Sequence, residues 1–242
     1  MKQQCTFIYF ISLVFVLCFV PSTNAQNDSI VNTINDSVKI KEKYGLRIGF
    51  DAGKLIRSFA DEDYSGFELN ADFRLKKRLY IAGEIGLEEK NTVTDYLDIT
   101  TKGTYIKGGL DYNFYQNWLD MDNMIYGGAR IGASTFTQTL NSYKIYNTNQ
   151  YWQPPYSSNQ PQEFSGLTAL WIEIIFGIKA EIFNNLYIGL NAQLKANISQ
   201  TEPNNFSNVY IPGFHKTYDT SRIGVGYGYT ISYRIPIFKK DK

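Results

Sequence analysis

The amino-acid sequence predicts an all-β protein, an antiparallel up-and-down transmembrane β-barrel of eight strands that follows an N-terminal signal peptide. The segment Ile223–Ile235 reads I-G-V-G-Y-G-Y-T-I-S-Y-R-I, with an apolar or aromatic residue at every other position. Successive side chains of a β-strand point to opposite faces, so this segment has one apolar face and one small or polar face. Its ~13 residues exceed the roughly 9–11 that a tilted strand needs to cross a bilayer. Similar segments recur along the chain, which begins with an export signal.

The first 25 residues are predicted to be a cleavable signal peptide. Lys2 supplies a positive start, Phe7–Val20 is apolar, and Thr23-Asn24-Ala25 provides a cleavage site of the usual kind. The apolar stretch of ~14 residues is shorter than the roughly 20 that a spanning helix needs. Lipid attachment at Cys18 is the less favoured alternative, because Leu17 stands where a small residue is expected. We therefore expect export and cleavage.

The chain after the signal is predicted to form one domain. Residues 26–43 are polar and lack an apolar period, as is typical of a flexible periplasmic leader. The barrel is predicted over residues 44–238, and residues 239–242 form a short C-terminal tail. A mature chain of about 217 residues suits a single barrel.

Eight segments show the alternation of a strand with one apolar face. In chain order they are Tyr44–Ala52, Gly66–Leu75, Leu79–Leu87, Ile106–Phe114, Ile125–Ala133, Leu170–Ile182, Leu186–Ile198 and Arg222–Phe238. The clearest is Leu186–Ile198, in which Leu and Ile alternate with Asn, Gln and Lys. Partial alternation in Phe136–Tyr146 leaves ten strands open.

The connections between these segments alternate between short and long. The short ones are Lys76-Lys77-Arg78, Tyr115–Asn123 and Phe183-Asn184-Asn185. The long polar ones are Ser58–Ser65, Glu88–Tyr105, Thr137–Gly166 and Ser199–Ser221. Outer-membrane barrels have this asymmetry, with short periplasmic turns and long extracellular loops. An even strand count also places both ends of the barrel on the short-turn side.

The polar faces of the strands carry balanced charge and are predicted to fill the lumen. The predicted network comprises Arg47, Glu68, Asp72, Arg74, Glu84, Lys107, Asp111, Arg130, Glu173, Lys179, Lys195 and Arg222, with Asp51, Glu88, Glu181 and Arg234 on the same faces. An eight-stranded barrel is just wide enough for side chains to fill it, so these charges are expected to pair. A polar conduit or ligand cavity is the alternative.

A soluble, lipocalin-like periplasmic barrel would place the apolar faces inside instead. Gly224, Gly226 and Gly228 argue against it, because they would leave bare backbone on a water-facing surface but give space in a crowded lumen. Aromatic residues also gather near the short-turn ends of the strands, where an interfacial girdle is expected. These are Tyr112, Phe114, Trp118, Phe183, Tyr233 and Phe238.

Composition limits the chemistry. The formal charge of +1 gives no sign of a nucleic-acid partner, and both cysteines, Cys5 and Cys18, lie in the signal. The single histidine, His215, shares a loop with Asp219, and Asp61 and Asp63 lie in another loop, but nothing in their spacing sets up a base and its target. No catalytic residue, metal site or cofactor is predicted, and the protein is not expected to be an enzyme.

The loop Lys144–Gly166 is rich in aromatic residues among Asn, Gln and Ser. Tyr151, Trp152 and Tyr156, together with His215, are the candidate ligand-binding residues. Such aromatics resemble surfaces that stack on sugars or contact proteins, and the alternative is packing on one another or on lipid headgroups.

Three segments resemble an uncharacterised family of small outer-membrane barrels of Bacteroidota, a domain of unknown function. They read K-Y-G-L-R-I-G-F-D, K-K-R-L-Y-I-A-G-E-I-G and Y-I-P-G-F-H-K-T-Y-D. The resemblance implies an outer-membrane location, lipid contact and assembly by the outer-membrane insertion machinery. A monomer with a structural or surface-binding role is expected, with a glycan or protein as ligand. The alternative is a barrel enzyme or narrow transporter that acts on a lipid or small solute.

Overall fold

Long β-strands account for most of the structure. The computed structural model describes residues 41–115, 122–145, 157–204, 206–218 and 221–241. The strands are β1 (Lys41–Asp51), β2 (Tyr64–Arg74), β3 (Leu79–Val93), β4 (Leu97–Asn113), β5 (Met124–Lys144), β6 (Ser157–Ser158), β7 (Gln162–Phe183), β8 (Leu186–Gln200), β9 (Tyr210–Ile211), β10 (His215–Lys216) and β11 (Ile223–Asp241). One helix, α1 (Ala52–Ala60), follows β1. The wall thus extends slightly beyond the predicted limits, 44 and 238.

Eight of these strands close into a ring. Neighbours in the ring are antiparallel, and β11 pairs with both β8 and β1. The pairing of Lys41 with Asp241 joins the two ends of the barrel on the short-turn side, as predicted. The eight-stranded antiparallel barrel is therefore confirmed. The strands β6, β9 and β10 have two residues each and add nothing to the ring, so the ten-strand alternative is wrong within the described ranges.

Strands β3, β4, β5 and β7 are longer than predicted. The predicted loop Glu88–Tyr105 is wrong: β3 continues to Val93, β4 begins at Leu97, and Glu89 pairs with Lys102 within the hairpin. The sequence hides this extension because both faces become polar there, although the backbone ladder continues. Likewise, β5 and β7 run into the predicted loop Thr137–Gly166.

Helix α1 replaces the last residue of the first predicted strand and ends at Ala60, within the predicted loop Ser58–Ser65. Ala52, predicted as an outward strand residue, begins the helix instead. The side chain of Asp51 caps the helix by accepting hydrogen bonds from the backbone N–H groups of Gly53 at 2.8 Å and Lys54 at 3.2 Å. Within the described ranges, no helix is both long enough and apolar enough to cross a membrane.

The two faces of the strands are sorted as predicted, with apolar side chains outside and polar ones inside. Outward Phe176 and Ile131 are 63% and 62% exposed, whereas inward Lys195 is completely buried. A soluble barrel with its apolar faces inside would require the reverse arrangement. A Cβ atom at Gly226 would lie 3.0 Å from the Nζ atom of Lys195, so this glycine does give space to a lumen side chain.

Gly132 and Gly108 provide a matched test of interior packing. A Cβ atom at Gly132 would lie 2.2 Å from the ring of the buried Trp171, whereas one at Gly108 would meet nothing within 4 Å. We expect Gly132→Ala to lower the free energy of unfolding by about 1–3 kcal/mol through overpacking, and Gly108→Ala to change it by about 0.5 kcal/mol or less. Urea unfolding of the refolded protein in detergent micelles measures both. Equal effects would contradict this account.

Candidate functional site: a filled lumen closed by a folded loop

The predicted lumen residues do converge inside the barrel, with one exception. Buried members are Arg47, Glu68, Asp72, Arg74, Lys107, Asp111, Arg130, Glu173 and Lys195, and Glu84 and Lys179 are half-buried. Arg222 is exposed just before β11 begins, so its assignment to the network is wrong. Its predicted place rested on starting the last strand one residue too early.

A cluster of ion pairs closes the short-turn end. The guanidinium of Arg234 contacts Asp122 and lies 3.2 Å from Glu181, and Arg74 lies 3.7 Å from Asp122. Asp122 is a member of this cluster that the sequence does not reveal. It precedes β5 in a turn, where no alternation indicates which way a side chain points.

Asp72 links two cations in the middle of the barrel. Its two carboxylate oxygens accept from Arg47 Nε at 2.7 Å and from Lys179 Nζ at 2.6 Å. The guanidinium of Arg47 also lies between two aromatic rings, 5.2 Å from the centroid of Tyr80 and 5.0 Å from that of Tyr187. Arg47 is thus held in position both by its ion pair with Asp72 and by packing between the two rings.

A second layer is centred on Lys107. Its Nζ atom lies 2.5 Å from Glu84 and 3.4 Å from Glu68, and Arg130 lies 2.7 Å from Asp111 and 3.5 Å from Glu84. Cations and carboxylates therefore alternate through the interior. Burying charges is costly unless they are paired, and this arrangement supplies the pairs.

Glu88 is the most highly connected carboxylate of the lumen. It is 1% exposed and accepts from Lys54 Nζ at 2.6 Å, Tyr64 Oη at 3.1 Å, Tyr210 Oη at 2.9 Å and the backbone N–H of Gly213 at 2.9 Å. These partners come from α1, from β2 and from the loop between β8 and β11. One side chain on β3 thus ties the helix and the loop to the wall.

The loop between β8 and β11 folds into the barrel, although the sequence analysis expected an extracellular loop throughout Ser199–Ser221. Phe214 and Ile211 are buried in a hydrophobic cluster with Tyr105, Phe136, Leu167, Ala169 and Trp171. Lys195 Nζ donates to the carbonyl oxygen of Gly213 at 2.7 Å. We call residues 206–218 the plug loop, because they fill the long-loop end of the lumen.

His215 belongs to the plug loop and packs against Glu88 and Tyr210. Its Nε2 atom lies 3.6 Å from Glu88, its ring stacks on Tyr210 with 6.2 Å between centroids, and its φ angle is +83°. Burial, together with the positive charge of Lys195, lowers the pKa of His215 to about 4. Its imidazole is therefore neutral near neutral pH.

Of the other candidate ligand and catalytic residues, only Asp61 and Asp63 lie within the described ranges. Tyr151, Trp152, Tyr156 and Asp219 lie outside the described residues, so the predicted aromatic ligand surface stays a prediction. Asp61 contacts Arg57 at 3.2 Å and Lys90 at 3.3 Å. Within the described ranges, no group of three or more His, Cys, Asp or Glu residues is arranged to hold a metal ion.

The free space among the paired charges is small, whereas a polar cavity of about 660 Å³ lies beside the plug loop at the long-loop end, lined by residues that include Asn197, Asn208, Phe214 and Thr217. A polar cavity of about 20 Å³ lies between the two charge layers, lined by residues that include Asp72, Glu84, Arg130 and Lys179. That volume suits about one water molecule. The geometry therefore leaves no room for a solute beside the paired side chains of this layer.

These features define a class: a closed eight-stranded β-barrel with an apolar exterior and a lumen filled by ion pairs and a folded loop. The chain belongs to the family described as Domain of unknown function (DUF6048), whose model matches residues 6–240. A comparison with curated protein sequences finds no match.

Two solved structures are distantly similar. One is Ail, the attachment invasion locus protein of Yersinia pestis, with a TM-score of 0.41, 10% identity and coverage of 79% of this chain and 97% of that chain. The other is Neisserial surface protein A, with a TM-score of 0.39, 10% identity and coverage of 79% and 95%. At this distance neither likeness bears on function.

A comparison of Glu88 with its neighbour Glu89 tests the structural role of Glu88. We expect Glu88→Ala to lower the free energy of unfolding by about 3–5 kcal/mol, because it leaves Lys54 buried without this partner. The neighbour Glu89 points outward, and its exposed pair with Lys102, at 3.1 Å, should contribute about 0–1 kcal/mol. Urea titrations of Glu88→Ala and Glu89→Ala measure the difference. Similar losses for the two variants would contradict the assignment.

The lowered pKa of His215 predicts a pH-dependent stability. Between about pH 6.5 and pH 4 the unfolded chain binds a proton that folded His215 does not, so stability falls as the pH falls through this window. His215→Asn removes this contribution, and Asn tolerates the positive φ angle. The midpoint of urea unfolding should fall more for the wild type than for the variant between about pH 7 and pH 5. Parallel changes would rule the effect out.

Proposed function

We propose that this protein is an integral outer-membrane β-barrel that does not conduct solutes and presents loops at the cell surface. The observation that carries the proposal is the sorting of side chains, with apolar residues around the outside and paired charges inside. A β-barrel satisfies its backbone hydrogen bonds internally, which is what a hydrocarbon environment demands. An apolar exterior of this extent would be unfavourable in water.

Aromatic side chains at the short-turn end support a membrane boundary there. Tyr112 contacts Phe114 edge-on with 5.2 Å between centroids, and Phe114, Phe183 and Phe238 are 59%, 71% and 50% exposed. Such residues form girdles at the interfaces of outer-membrane barrels. Tyr233 is also exposed at this end, whereas Trp118 lies outside the described residues.

The contents of the lumen support a closed barrel over a transporter. Conduction would require ions or solutes to displace side chains that hold one another in buried pairs, and unpaired buried charges are costly. At the long-loop end, Ile211 and Phe214 of the plug loop pack into the buried apolar cluster and narrow the other route. A rigid, sealed barrel suits a protein whose working surface is its extracellular loops.

The more specific role that we propose rests on the sequence. We propose a non-enzymatic structural or surface-binding function for a monomer, inserted by the outer-membrane machinery after export by a cleavable signal peptide. The aromatic-rich loop Lys144–Gly166 is the proposed contact for a surface glycan or protein. The Bacteroidota origin also stays a prediction, on the resemblance of the three sequence segments.

Fractionation and conductance test both parts of the proposal. We expect the protein to remain in the membrane fraction after carbonate extraction, to run as a heat-modifiable band on gels, and to give no steady conductance in planar bilayers where a general porin does. Recovery in the aqueous fraction without detergent would overturn the membrane assignment. Stable unitary conductance would overturn the sealed lumen.

A further inference from the structure

The wall of the barrel has a notch above β1. Strand β1 ends at Asp51, opposite Thr230 of β11, and its last pair with β2 joins Phe50 to Leu69. Both neighbours continue further toward the long-loop end, β2 to Tyr64 and β11 to Ile223. Two strand edges therefore face a gap that no strand of the described ranges fills.

Helix α1 fills this notch and satisfies part of the exposed edges. The hydroxyl of Ser58 accepts from the backbone N–H of Gly66 at 2.8 Å and lies 3.1 Å from the carbonyl oxygen of the same residue. On the other side, the backbone N–H of Tyr229 donates to Asp51 Oδ1 at 3.4 Å. A Cβ atom at Gly53 would lie 3.0 Å from the ring of Tyr229, so the start of the helix packs closely on β11.

The helix has one face for the lumen and one for the outside. Lys54 is buried and bonds to Glu68 at 2.9 Å as well as to Glu88. Residues three apart share a helix face, and on the opposite side Ile56 and Phe59 are 66% and 91% exposed. Packing among the described residues does not explain why this short helix carries an almost fully exposed phenylalanine near its end.

The level of the helix coincides with the upper edge of the apolar exterior. Gly66, which bonds to Ser58, pairs with Glu88, next to outward-facing Leu87, which is 52% exposed. The next outward residue of β3 is the charged Glu89. On the other flank of the notch, outward Val225 and Tyr227 of β11 are 72% and 65% exposed. The apolar face of α1 thus continues the apolar exterior at its boundary.

We propose that the outer face of α1 is a lipid-contacting surface, with Phe59 and Ile56 inserted among the acyl chains at the outer-leaflet boundary. This inference rests on the proposed membrane location. The helix takes the place of the missing end of β1: Lys54 seals the lumen side, and the apolar side chains meet the bilayer. Amphipathic helices bind membrane interfaces in this orientation.

Spin labelling tests the proposal directly, because both cysteines lie in the predicted signal and single labels can be placed freely. The labelled variants are Phe59→Cys and Ile56→Cys on the helix, Ile131→Cys on the barrel exterior as the lipid reference, and Glu62→Cys after the helix as the water reference. In reconstituted vesicles, we expect the helix labels to be several-fold more accessible to oxygen than to a water-soluble nickel chelate. The Glu62→Cys label should show the reverse.

The two references separate the outcomes. If the Ile131→Cys label is aqueous, the proposed membrane location itself fails. If that label contacts lipid while both helix labels match Glu62→Cys, only the proposal for α1 is overturned. Low accessibility of the helix labels to both reagents would mean that a second protein chain covers the helix, and would overturn it as well. Should one helix variant fail to fold, the other decides.

Discussion

The pairing of buried charges inside a closed, narrow ring is the constraint on which the rest of this structure depends. Eight strands leave an interior that side chains can just fill, and the inward faces of these strands carry acids and bases in near balance. Lys107 lies close to three carboxylates, and Asp72 binds two cations. Because removal of one charge takes a partner from its neighbours in a low-dielectric interior, the network acts as a unit.

The same network joins the strands of the barrel to helix α1 and to the plug loop. Glu88 bonds to the helix through Lys54 and to the plug loop through Tyr210 and Gly213. The helix in turn occupies the notch above β1 and the plug loop occupies the end of the lumen. A carboxylate on strand β3 therefore holds both α1 and the plug loop in position.

The alternation of apolar and polar residues in the sequence predicted the strands and the direction of their side chains. The positions of all eight wall strands and the inward direction of residues such as Arg47 and Glu173 follow from a period of two, which the sequence displays openly. The longer β3–β4 hairpin, the inward fold of the loop around Phe214 and the role of Asp122 depend on partners far along the chain. For α1, the capping residue Asp51 was a readable signal, but the preceding alternation concealed it.

The place of the plug loop in the chain has a consequence for how the loop is held. The loop lies directly before β11, and β11 is the strand that zips against β1 to close the ring. Its buried residues Ile211 and Phe214 are joined to β11 by only a few residues of chain. Pairing of β11 with β1 therefore also holds the plug loop at the end of the lumen that it fills.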